Sequence, residues 1–344
     1  MLRLSAALLG LLFASPATAQ YWATKEICDV KAPQIHASEF APATEGDLHA
    51  RAAEIPNSVG PFWKVVAPNG TVSHLWGTFH SNHPLILDLP GPVLDALHGS
   101  DLVATEIDGI HSSRRKLEIR QSGLEAWRPA RSGFDFDTID LPEDVIDWIK
   151  SRFAGLNYGR YALDHLTLAA VAETLLSDPC NDFAYGTFPT QDSRSQMLTA
   201  IEGIDYMPLE AFDRFAKDLK APEHDLLATS MIAILGPAFN PKATPEARAT
   251  LFELYLSGRI GVMMAWEESY LRSILGVCAR VHLARADGYL LNQRNKEWVQ
   301  TLGDTMLEKK MFIAAGSFHL PRSEGLVALL RAKGYTVSRI PLER

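Results

Sequence analysis

The sequence predicts an α/β fold, a mixed central β-sheet flanked by helices, with a largely helical insertion between two similar Gly-x-x-His halves. Three observations predict it. Strand–helix–strand patterns occupy both ends of the chain, and a long stretch of helical character separates them. The same short loop also leaves an apolar strand in each half, as Gly77-Thr78-Phe79-His80 and again as Gly316-Ser317-Phe318-His319.

The elements follow in order. Met1-Leu2-Arg3 is a short positive start, Leu4 to Phe13 is apolar, and Ser15-Pro16-Ala17-Thr18-Ala19 supplies small residues in an Ala-x-Ala arrangement. This pattern predicts a signal peptide over 1–19, with cleavage near Ala19. The apolar run falls short of the roughly 20 residues that a spanning helix needs. The expected address is therefore periplasmic or secreted, with no stable membrane anchor after cleavage. Residues 20–59 read as an irregular lead-in punctuated by Pro33, Pro42 and Pro56, with one short helix around 46–53.

From residue 60 to 344 the pattern is that of a single α/β domain, with the helical insertion at about 112–300. Phe62 to Val66 and Thr71 to Trp76 are β-rich runs around a Pro68-Asn69-Gly70 turn, which predicts a hairpin leading into the first loop. Leu89 to His98 reads as a helix, and Asp101 to Glu106 as a strand ending in an acid. Helices are expected over Ser113–Glu125, Pro142–Phe153, Tyr158–Leu176 and Asp192–Ala200, the last with Asp192 as its N-cap. Ile204 to Glu210 resembles a short strand, whose Pro208 favours a sheet edge. From Phe212 to Gln300 the chain reads as helical, broken near Gly236-Pro237 and Pro241. Met311 to Ala315 is a small-residue strand, followed by the second loop, a helix over Glu324–Lys333 and a last strand from Tyr335 to Ile340.

Composition narrows the function. The 344 residues are 47% hydrophobic and 22% charged, with a formal charge of −8. That balance and the absence of a basic run exclude nucleic acid as a partner. The three cysteines, Cys28, Cys180 and Cys278, allow one intramolecular pair, and their spacing leaves open which. Gly-x-Ser-x-Gly, His-Glu-x-x-His and phosphate-binding glycine loops are all missing.

The two loops carry the chemistry. In α/β sheets ligands gather at the carboxyl ends of strands, and a Gly there permits a tight turn or a close approach. His80 and His319 are delivered to such ends, and they meet if their strands are close together in the sheet. Glu106 ends the next strand and projects from the same edge, where a buried carboxylate needs a partner or a metal. Two histidines and one carboxylate form a catalytic metal set with room for water. Glu210 ends another strand and is the second carboxylate, open to roles as ligand, partner or base. Arg294 sits on a helix whose composition alone puts it at the surface, although a guanidinium can steady a carboxylate or an oxyanion. His74 and His83 flank the first loop as bystanders.

At these residues the sequence resembles the TraB/GumN family, which includes the Tiki proteins. The resemblance runs through His74-Leu75-Trp76-Gly77-Thr78-Phe79-His80, Asp101 to Glu106, Leu209-Glu210, Gln293-Arg294-Asn295 and Gly316-Ser317-Phe318-His319-Leu320-Pro321. It implies a compact fold similar to the ChaN and erythromycin-esterase-like proteins. It also implies a metal-dependent peptidase that holds manganese or cobalt, or else zinc, through His80, His319 and Glu106. The chain departs from the family pattern at Ser317-Phe318, at Arg322-Ser323 where a Gly often sits, and at Gln293 in place of a common Glu.

The expected function is thus an exported metal-dependent hydrolase acting on a peptide or protein substrate. Catalytic roles fall to Glu210 as base and Arg294 as charge stabiliser. The alternative is a non-catalytic haem- or metal-binding protein, or one serving envelope polysaccharide assembly. Oligomeric state leaves no trace in the sequence.

Overall fold

The computed structural model describes residues 23–107, 139–158, 166–183, 190–211, 214–219, 221–238 and 244–343. The expected signal peptide and the polar helix expected over 113–125 lie outside the described residues.

Among the described residues, six strands form one mixed sheet: β1 (Phe62–Val66), β2 (Val72–Thr78), β3 (Leu102–Ile107), β4 (Asp205–Glu210), β5 (Met311–Gly316) and β6 (Thr336–Arg339), in the order β4-β3-β5-β2-β1-β6. The four strands β4, β3, β5 and β2 are mutually parallel, so their carboxyl ends share one edge. The predicted hairpin makes β1 antiparallel to β2, and β6 pairs antiparallel with β1. Pro208 has no N–H to donate, and it lies on the edge strand β4, opposite Thr105.

β5 is buried along its whole length, as expected of a central strand covered on both faces. Its side chains alternate between two cores. Phe312 and Ala314 join Phe62, Trp76 and Val103 on one face, and Ile313 and Ala315 join Trp63, Leu75 and Ala104 on the other. The first face is covered by helices α1 (Glu45–Ala53), α2 (Gly91–His98), α7 (Pro245–Leu256) and α8 (Ile260–Leu275). The second face is covered by α10 (Arg294–Leu302) and α11 (Leu326–Ala332). A separate apolar cluster without strand residues unites α3 (Glu143–Phe153), α4 (Leu168–Leu175), α6 (Asp225–Ala238) and α9 (Ala279–Asp287).

Several elements differ from expectation. The helix expected from Leu89 begins at Gly91, because Pro90 takes the non-helical N-cap position and a proline disfavours helical backbone in the residue before it. A short turn of helix, Pro84–Leu87, comes before it, capped by the His83 side chain. Of the helix expected over 158–176, residues 159–165 lie outside the described residues, and a helix over Leu168–Leu175 is started by Thr167. Helix α5 (Gln191–Glu202) is capped by Thr190 and not by Asp192, whose carboxylate is used elsewhere. The cysteines resolve into a Cys28–Cys180 disulfide and an exposed free Cys278. Among the described residues, no helix is long and apolar enough to cross a membrane.

Candidate functional site

Strand register brings the two loops together. β2 and β5 are neighbours with Gly77 opposite Ala315 and Thr78 opposite Gly316, so the loops leave the sheet side by side. β3 flanks β5 on its other side with Thr105 opposite Ala314, which puts Glu106 at the same edge. Close approach accounts for both glycines. A Cβ on Gly77 would stand 3.0 Å from the Ser317 Cα. One on Gly316 would stand 3.1 Å from His80 Nε2, 3.2 Å from Glu106 Oε1 and 3.5 Å from His319 Cδ2, filling the point on which all three side chains converge.

The Nε2 atoms of His80 and His319 each lie 3.8 Å from the same oxygen, Glu106 Oε1. Their Nδ1 atoms are occupied. His80 Nδ1 meets Asp192 Oδ2 at 2.8 Å, and Asp192 also accepts from Thr78 Oγ1 at 2.7 Å. His319 Nδ1 meets Asn295 Oδ1 at 2.7 Å, while the Asn295 amide donates to the His319 and Glu324 carbonyls. An ionised carboxylate can only accept, and Asn295 has committed its donors, so both Nδ1 atoms carry the proton. Pinning a ring at Nδ1 is how proteins fix a histidine to present Nε2.

Arg294 closes the far side. It is buried, which corrects the surface position expected from its helix. Nη2 donates to Glu106 Oε2 at 2.6 Å and to Glu210 Oε1 at 2.8 Å, and Nε bridges both Glu210 oxygens at 3.1 Å. Nη1 donates to the Leu290 carbonyl at 3.0 Å and reaches His319 Nε2 at 3.4 Å. The guanidinium also lies over the Trp298 ring. Glu210 further accepts from Arg214 and from Trp298 Nε1, both at 3.1 Å. With donors on each oxygen, Glu210 anchors Arg294.

The electrostatics differ across the site. Burial opposes the ionisation of Glu106, but Arg294, both imidazoles and the Gly316 N–H, 2.6 Å from Oε1, hold its carboxyl well below the usual range. Burial lowers His319 to about 3, reinforced by Arg294 and His80 against the pull of Glu106. For His80, desolvation would lower the pKa, but Asp192 and Glu106 outweigh it and raise the ring to about 9. That side chain is 52% exposed, yet burial is still the largest single influence on it and Arg294 adds to it, so the rise needs both carboxylates.

Among the described residues, no group of three His, Cys, Asp or Glu side chains stands ready-made around an ion. The donor chemistry nevertheless suits a divalent cation: two imidazole nitrogens turned by their Nδ1 partners toward one carboxylate oxygen, around a space kept clear by a glycine. The sequence reading missed Asp192 as a partner of His80, and Asn295 as a partner of His319. Their signals were a Thr-x-Asp start to α5 and the Asn beside Arg294, both of which read equally well as ordinary helix residues. His74 stacks on Phe62, and His83 caps a turn, so neither joins the site.

No curated protein and no solved structure matches the chain. A family model described as the TraB/PrgY/gumN family matches residues 61–339, spanning both loops, Glu106, Glu210 and Arg294. The chain belongs to the TraB/PrgY/gumN family.

Proposed function

We propose that this protein is an exported metal-dependent hydrolase of the Tiki-like peptidase kind, acting on a peptide or protein substrate. In this reading 1–19 is a removed signal peptide and 60–344 is one catalytic domain carrying the helical insertion at 112–300. The observation that carries it is the convergence of His80 Nε2 and His319 Nε2 on Glu106 Oε1 beside Gly316. His80, His319 and Glu106 would hold manganese or cobalt, with zinc as a further candidate. Bound there, such an ion supplies Lewis-acid polarisation of the scissile carbonyl and a lowered pKa for water.

The chain's own groups do the rest. Asp192 and Asn295 keep both rings in the tautomer that presents Nε2. Arg294 has five N–H donors, and each already has an acceptor; the longest of these contacts is the 3.4 Å one to His319 Nε2. A ligand role for His319 takes that lone pair and frees one Arg294 N–H to stabilise negative charge building on the substrate oxygen. Glu210, filled by Arg294, Arg214 and Trp298, serves as the support of that guanidinium, in place of the base role suggested by its position at a strand end.

The test is the metal content of the purified mature protein beside His80→Ala and His319→Ala, with peptide hydrolysis measured on the same samples. Stoichiometric metal and activity in the wild type, lost in both variants, is the expected result. Full activity in either variant overturns it. One observation favours a second reading: the Arg294 guanidinium pairs directly with Glu106 Oε2 and compensates its charge. A non-catalytic haem- or metal-binding protein, or one serving envelope polysaccharide assembly, would keep that network closed and show no hydrolysis.

A further inference from the structure

The family match begins at residue 61, yet the lead-in before it is tied to the site. Cys28 is joined to Cys180, on a short 3-10 segment, Pro179–Phe183, far away in sequence. Asn181 on that segment reaches the His80 loop twice. Its side-chain amide donates to the His80 carbonyl at 3.1 Å, and its side-chain oxygen accepts from the Asn82 N–H at 3.2 Å. One side chain therefore grips the backbone on both sides of Ser81.

The neighbours of Asn181 are fixed as well. Asp178 pairs with Arg248 of α7 at 2.6 Å, and Asp182 pairs with the fully buried Arg152 of α3 at 2.8 Å. Arg248 lies over Phe252, which packs edge-on against both Phe79 and His83, the residues bracketing the His80 loop. The lead-in meets the same helix through the Gln34 N–H, which donates to the Ala249 carbonyl at 3.2 Å. The disulfide thus locks the lead-in to a segment that holds the His80 loop by two hydrogen bonds and by a packed arginine–aromatic stack. Among the described residues, the His319 side chain is supported from α10 by Asn295 and Trp298, and the lead-in reaches the chain beyond that loop through the Arg322 N–H, which donates to the Pro56 carbonyl at 2.8 Å, with no disulfide behind it.

We propose that Asn181 is a positioning residue for His80, and that the Cys28–Cys180 disulfide sets its position, so that the redox state of this bond controls the His80 loop and not the His319 loop. The chain is expected in an oxidising compartment, where the bond persists. Opening it takes two electrons and two protons from an added dithiol, giving two thiols at Cys28 and Cys180 and the dithiol's own disulfide. This inference rests on the proposed role of His80 as a ligand, but its first readout does not depend on metal.

The experiment uses the full mature chain with Cys278→Ser, so that no free thiol can exchange with the bond. Amide hydrogen exchange is followed over 79–83 and 316–320 in the oxidised protein, after dithiothreitol, and in Asn181→Ala and Asn181→Asp. Manganese affinity is measured on the same samples. Asn181→Ala and reduction should each speed exchange at the Asn82 amide about tenfold or more, leave 316–320 unchanged, and weaken manganese binding about 10- to 100-fold, as loss of a partner behind a ligand does. Asn181→Asp keeps an acceptor for the Asn82 N–H and should restore most of its protection. Reduction of Asn181→Ala should add nothing further at that amide. Unchanged exchange over 79–83 on reduction, or equal loosening of both loops, overturns the proposal. A wild type that binds no manganese but shows the selective loosening would sink the metal reading and leave the clamp standing.

Discussion

The two Gly-x-x-His loops share one four-residue form and leave adjacent parallel strands, yet they sit in opposite surroundings. His319 is buried against Trp298, backed by a neutral amide, and faces the Arg294 guanidinium, so it stays uncharged. His80 is half-exposed and backed by a carboxylate, and Asp192 together with Glu106 outweighs burial and Arg294, so it favours a proton or another cation. A shared motif delivers two imidazoles to one point; what stands behind each ring decides its charge. Titratable groups pushed apart in this way are the physical reason to treat the site as a candidate for acid–base or metal chemistry.

This asymmetry can be broken most forcefully at its buried end. Arg294→Met leaves Glu106 and Glu210 without their shared partner, and should cost about 3–5 kcal/mol of stability by urea unfolding. Asp192→Asn, on the exposed side, should cost about 1 kcal/mol, because it weakens one hydrogen-bonded carboxylate near solvent. Equal losses would show that the two sides are not energetically distinct. His319→Ala comes next, at about 2–3 kcal/mol, since it opens a hole beside Trp298 and orphans Asn295 Oδ1. His80→Ala should stay within about 1 kcal/mol, being a surface-side truncation.

The glycines sharpen the comparison. Gly77→Ala drives a methyl to within 3.0 Å of backbone at Ser317, and should destabilise by about 1–3 kcal/mol. Gly316→Ala meets side-chain atoms instead, at 3.1 Å and beyond, so its stability loss should be smaller, while the metal binding proposed for this site should be lost. Differential scanning calorimetry and elemental analysis on both variants separate these outcomes. A pH-dependent effect lies outside the loops, at Glu267 on α8. Burial, with Asp287 adding to it and Arg322 opposing, raises this carboxyl from 4.5 to about 7. Between those values the folded chain keeps a proton that the unfolded chain has released, so stability falls as pH rises. Glu267→Gln should therefore match wild type below about pH 4.5, and gain in melting temperature up to a plateau above about 7. A gain that is the same at every pH would mean that the cause is not this ionisation.

Much of this architecture was readable in advance from local rules. The hairpin followed from β-rich runs around Pro68-Asn69-Gly70, and the edge position of β4 from Pro208, whereas the central position of β5 came only with the sheet. The placement of Arg294 was not readable. Its helix carries Lys296 and Glu297 on one side and buries Trp298, Val299 and Leu302 on the other, and only the approach of Glu106 on β3 and Glu210 on β4 shows that Arg294 belongs to the buried side. Asp192 was misread for a similar reason: an acid in the first turn of a helix satisfies a local rule as a cap, and nothing nearby in sequence announces a histidine more than a hundred residues away.

By itself the sequence determined which groups reach the sheet edge, because strand period, turn chemistry and glycine placement act over a few residues. Only the tertiary structure decided which ring is neutral, which carboxylate is saturated and which cysteines pair. Those outcomes depend on burial and on charges brought within a few ångströms from distant parts of the chain, and such distances are set by packing.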